Sequence, residues 1–175
     1  MLLGAITFAL LVANGPARAQ RHNAVALSPD HRYVAVTVQG EAECSYLYVL
    51  KVKHRPTRLM MATLRRQAKT HAGGVPGVPK PRGTQFWRMD VDSFIWIPQR
   101  PHELLYGESE IYGDGVVALL NPGRKARVLA RPRESEFQIT LKSYDSTQRR
   151  LTYEVNATRG VKEITKTRQL TVPPR

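Results

Sequence analysis

Apolar residues along this chain recur at every second position, in short runs separated by turn residues. Ala24 to Leu27 and Tyr33 to Val38 form two such runs around Ser28-Pro29-Asp30, and Tyr46 to Val52 forms a third. A period of two is the mark of a strand with one buried face. Pro29 presets φ for a turn and Asp30 can bond the backbone two residues on, so the three runs predict an antiparallel meander. His31 follows in the turn, and His is among the residues that tolerate positive φ. In the third run Tyr46, Tyr48, Leu50 and Val52 share one face while Leu47 and Val49 line the other. Such a strand is apolar on both sides, which predicts an inner strand packed between layers.

The pattern returns further along. Leu104-Leu105-Tyr106 and Leu151-Thr152-Tyr153 stand 47 residues apart, and Val34-Ala35-Val36 precedes the first of them by 70. Each follows an apolar run and a turn, and each is followed by another apolar run. An interval in the mid-forties is close to the roughly 40–45 residues of a four-stranded propeller blade. Turn chemistry is marked at Gly113-Asp114-Gly115, Asn121-Pro122-Gly123 and Asn156 to Gly160. We read about three antiparallel four-stranded blade-like units, over roughly 20–64, 86–131 and 134–175, in a single all-β domain spanning 20–175. No long 3.6-residue period occurs outside the N-terminal run, so helix content is expected to be low. The expected architecture is a partial propeller or a β-sandwich-like arc.

The turn Ser28-Pro29-Asp30 before Tyr33-Val34-Ala35 resembles the repeats of TolB-like or WD40-like β-propellers, which also build the propeller of prolyl-oligopeptidase-type peptidases. The match is best over residues 24–52, and His31 stands where those repeats carry Gly. What the resemblance implies is a docking platform for proteins or envelope polymers, with no substrate of its own.

Residues Met1 to Val12 are almost wholly apolar, Asn14-Gly15-Pro16 breaks the run, and Ala17-Arg18-Ala19 follows. That is the layout of a secretory signal peptide covering 1–19 with cleavage after Ala19. The run is shorter than the roughly 20 residues that a membrane-spanning helix needs, so no transmembrane segment is expected after cleavage. The expected location is periplasmic or secreted. Cys44 is the only cysteine and has no intramolecular partner.

Charge sharpens the picture. The chain holds 27 Lys plus Arg against 14 Asp plus Glu, a net charge of +13, and only Arg18 of these would leave with the signal. An exported surface of this kind attracts phospholipid headgroups, lipopolysaccharide or acidic polysaccharide, with no specific nucleic acid expected. The span 65–83 contains four Gly and three Pro, five basic residues and no acid. It is predicted to be a long exposed loop. Arg65, Arg66, Lys69, Lys80 and Arg82 in that span, with Trp87 at its end, are the candidate polyanion-binding residues. The alternative is a plain linker.

Catalytic patterns are missing. Gly107-Glu108-Ser109-Glu110 lacks the second Gly of a nucleophile elbow. The five histidines form no zinc-type pair, and no metal or cofactor is expected. Glu108, Glu110 and Asp114 read as a solvated hairpin tip, and Asp90 with Asp92 as carboxylates on one side of a strand. The sequence therefore reads as a non-enzymatic binding or scaffold protein that uses protein–protein or envelope-polymer contacts. A polyanion-binding envelope protein using 65–83 and the accessory propeller of a hydrolase remain open. Unpaired apolar faces on the first and last units would favour a homodimer, since three blades fall short of a closed ring.

Overall fold

The structure, a computed structural model, describes residues 17–19, 24–39, 45–70, 84–109, 115–131, 133, 136–159 and 162–174. Among the described residues it is all-β apart from one helix, with three antiparallel four-stranded sheets and no closed barrel. The first sheet contains β2 (Val25–Leu27), β3 (Tyr33–Gln39), β4 (Ser45–Lys51) and, after helix α1 (Arg58–Thr70), β5 (Thr84–Met89). The second contains β6 (Val91–Trp96), β7 (Leu104–Glu108), β8 (Val116–Leu120) and β9 (Arg127–Ala130). In the third, β1 (Ala17–Arg18) lies beside β10 (Glu136–Asp145), followed by β11 (Arg150–Arg159) and β12 (Lys162–Thr171).

Turn chemistry sets the hairpins. His31 takes φ 62°, while Ser28 Oγ donates to Asp30 at 2.7 Å and receives the Tyr33 amide at 3.0 Å. Arg149, φ 52°, turns β10 into β11, and Gly123, φ 85°, turns β8 into β9. Asp90, φ 58°, alone joins β5 to β6. The strand direction changes there and the chain passes from one sheet to the next, as at the corners of packed sheets.

Alternation then stacks four layers with three cores between them. Leu47 and Val49 of the first sheet meet Phe94, Trp96, Leu104, Tyr106, Val116, Ala118 and Leu120 of the second. The other face of the second sheet, Ile95, Ile97, Leu105 and Val117, meets Ile139, Leu141, Tyr144, Leu151, Tyr153 and Val155 of the third. The second sheet is covered on both faces, which is why Phe94 to Ile97 and Val116 to Leu120 are continuous apolar runs. On the outside of the first sheet, Met61 and Leu64 of α1 pack against Val25, Val34, Val36 and Leu50. Tyr48 also lies buried on that face, so β4 is the inner strand its two apolar faces predict.

The second and third sheets approach closely. A Cβ at Gly107 would stand 3.0 Å from both Cγ2 and the carbonyl oxygen of Ile139, so this strand position needs glycine. Hydroxyls complete the contact: Ser109 Oγ accepts the Ile139 amide at 2.9 Å and Ser93 Oγ accepts the Leu141 amide at 2.8 Å. Buried amides on the uncovered edge of β10 are thereby satisfied.

Three expectations change. Residues 65–70 belong to a helix, because the glycines and prolines of 65–83 all fall at or after Gly73 while 58–70 is rich in Arg, Leu, Met, Ala, Lys and Gln, strong helix formers. Thr57 caps it by accepting the Met60 amide at 3.2 Å. The first unit does not end near 64. It extends to Met89, since β5 pairs with β4 through Tyr48 and Trp87, so the span 65–83 falls in sequence between two neighbouring strands of one sheet. The end faces that motivated a homodimer are less apolar than expected: α1 covers part of one, and the outer face of the third sheet carries a Lys142–Glu154 ion pair and the Gln138–Asn156–Thr165 hydrogen-bond chain. Among the described residues no helix is long and apolar enough to cross a membrane.

Candidate functional site

Of the residues expected to bind a polyanion, the described ones lie on α1 and β5. Arg65 and Arg66 are exposed near the C-terminal end of α1, and Lys69 follows on the same helix. Lys80 and Arg82 lie outside the described residues. Trp87 sits on β5 facing the helix side of the sheet, 38% exposed, with its ring stacked on Tyr46 at 6.2 Å and 19°. Alternation along β5 sends the next side chain, Arg88, to the opposite face, toward the second sheet.

There a cleft of about 580 Å³ opens between the first two sheets. Phe86 and Arg88 come from β5, Tyr106 and Glu108 from β7, Val116 from β8, and Arg124, Lys125 and Ala126 from the β8–β9 turn. Val128 and Arg131 complete the rim. Four cationic side chains thus face a single carboxylate. That carboxylate, Glu108, is buried and accepts Nε of Arg88 at 3.0 Å. Arg124, Lys125 and Arg131 are exposed, and no carboxylate among the described residues pairs with them. Positive charge is therefore held ready at the mouth of a low-dielectric cleft, where field lines concentrate.

At the floor Tyr106 is buried, its ring 5.4 Å from Phe86. Its hydroxyl pKa is pushed up to about 12, first by burial and then by the Glu108 charge, with Arg88 pulling the other way. The phenol stays protonated at physiological pH and is available as a hydrogen-bond donor.

Other candidates resolve into structural roles. Glu108 is not at a solvated tip, because β7 carries it into the space between the sheets, and Glu110 and Asp114 lie outside the described residues. Asp90 occupies the corner between β5 and β6, off any strand. His102 Nδ1 stands 2.8 Å from Oδ2 of Asp30, close enough for an ion pair when the ring is protonated although out of line for a hydrogen bond. This contact ties the first hairpin to the second sheet. Among the described residues no group of His, Cys, Asp or Glu is arranged to hold a metal ion.

Sequence reasoning missed the cleft although a signal was present. Arg124 and Lys125 follow a marked Asn-Pro-Gly turn, and Arg88 and Glu108 sit two residues from the aromatics Phe86 and Tyr106. Comparison with protein-family models, with curated proteins and with solved structures gives no match.

Proposed function

We propose that this chain is an exported, non-catalytic binding module of the TolB-like repeat type, and that its ligand is an anionic component of the cell envelope held at the cleft between the first two sheets. The observation that carries this reading is the set Arg124, Lys125 and Arg131, cations with no carboxylate partner among the described residues, at the mouth of a cleft with Tyr106 at its floor. Free cations beside an enclosed surface favour an anion more than the same charges spread over open solvent. Two four-stranded antiparallel meanders, β2 to β5 and β6 to β9, and a three-stranded one, β10 to β12, support the repeat-type reading. Ser109, between Glu108 and Glu110, and Ser28, bonded to Asp30, are engaged in folding contacts, which supports binding over chemistry at these hydroxyls.

Heparin, used as a polyanion probe, tests the location. Replacing Arg124, Lys125 and Arg131 with Ser should lower affinity and reduce the slope of log K against log salt by about three, one for each lost charge contact. Arg65→Ser with Arg66→Ser should change it less. The opposite pattern would place the contacts on α1 and overturn the cleft.

A further inference from the structure

The distribution of charge and apolar surface within the cleft says more about the ligand than its net charge does. Arg124, Lys125 and Arg131 are all exposed, so positive charge belongs to the mouth. Deeper in, Phe86 and Ala126 are half-buried and packed on the first core, where Tyr106 and Val116 are buried. Val128 continues this apolar lining outward and is 43% exposed, a large apolar side chain left in water.

A second feature sets the orientation. Glu108 is a carboxylate only 8% exposed at its side chain, and Arg88 is its partner at 3.0 Å. An anionic group driven to the floor would meet a like charge in a low-dielectric setting and compete for the cation that neutralises it. The anion is therefore held at the mouth, and whatever reaches the floor is uncharged. A chain bearing a charge on every unit fits this arrangement poorly. One anionic head on an aliphatic body fits it throughout, since the body covers Phe86, Val116, Ala126 and Val128.

We propose that the cleft binds an anionic amphiphile, a lipid-like phosphate or carboxylate, with its head at Arg124, Lys125 and Arg131 and its aliphatic chain along Phe86, Val116 and Val128. This inference rests on the cleft being the anion site, and it narrows the ligand of that site to a class.

Isothermal titration of the full chain with inorganic phosphate and a series of n-alkyl phosphates, each below its micellar concentration, tests it. Inorganic phosphate should bind weakest, and affinity should rise roughly three- to fourfold for each added methylene until the cleft is filled. Val128→Ser, at an exposed position that leaves folding intact, should weaken the longer alkyl phosphates severalfold and leave inorganic phosphate unchanged. Arg124→Ser with Lys125→Ser should weaken every member of the series together. An affinity independent of chain length, with heparin still bound through the same cations, would overturn the amphiphile and leave the anion site standing. If neither heparin nor any alkyl phosphate binds, both fall.

Discussion

Tyr106 joins the core to the cleft, and its hydroxyl makes that junction measurable. Its folded pKa of about 12 lies above the usual value of 10.0 for a tyrosine. A raised folded pKa means that the native state holds the proton more tightly than the unfolded chain. The resulting stability is complete below pH 10 and is lost as pH climbs toward 12, by up to roughly 3 kcal/mol. Tyr144, also raised by burial, adds to the loss in the same direction. Denaturant unfolding between pH 9 and pH 12 should therefore show a fall that is smaller in Tyr106→Phe, which has no proton to release. Equal falls in the two proteins would show that the phenol ionises no later when folded. At this scale the sequence was informative where chemistry is local: His31 at positive φ and Asp30 in its turn follow from the tetrapeptide itself. Glu108 was not legible, because a carboxylate in a stretch of Glu and Asp reads as solvated. Only β7 carrying it against Arg88, 20 residues away, shows otherwise.

Among the elements, β1 and α1 separate what local sequence decides from what packing decides. α1 is visible in its helix formers and its Thr57 cap once it is parted from the glycines beyond it, and its Met61–Leu64 stripe is short because it covers only part of one sheet face. β1 is different. Ala17 and Arg18 pair with Tyr144 and Ser143, the Ala19 amide donates to Lys142 O at 2.9 Å, and Ala17 and Ala19 rest on the second core. Cleavage after Ala19, which we propose, would remove this strand and leave β10, β11 and β12 joined by their own ladders. A chain beginning at Gln20 should fold cooperatively with a melting temperature lower by several degrees, corresponding to about 1–2 kcal/mol for a short ladder at a partly exposed edge. Loss of the cooperative transition would make β1 indispensable and argue against processing at that point.

At the level of the whole molecule, the sheets form a stack whose ends are largely closed. α1 lies on one end, and the other presents Gln138, Lys142, Glu154, Asn156 and Thr165, a polar ladder that gains little from being buried. The protein is therefore expected to remain a monomer, with light scattering giving the single-chain mass up to high micromolar concentration. A dimer mass at low micromolar concentration would contradict this, and the exposed strip of Trp87 and Met89 that α1 leaves open would be the first surface to mutate. The alternation of apolar residues was sufficient by itself for the all-β class with antiparallel four-stranded sheets, and the turn residues for the β2–β3 and β8–β9 hairpins, because those depend on contacts between neighbours in sequence. Asn156 to Arg159, read as a turn, is instead strand, paired along its length with β12. Which sheet receives β5 and which face α1 covers are decided by packing within the first sheet, and which cations share a cleft depends on how the chain turns at Asp90 into the second. That single positive-φ residue sets the second sheet over the first, and Arg88 meets Glu108, Arg124 and Lys125 only after the layers have packed.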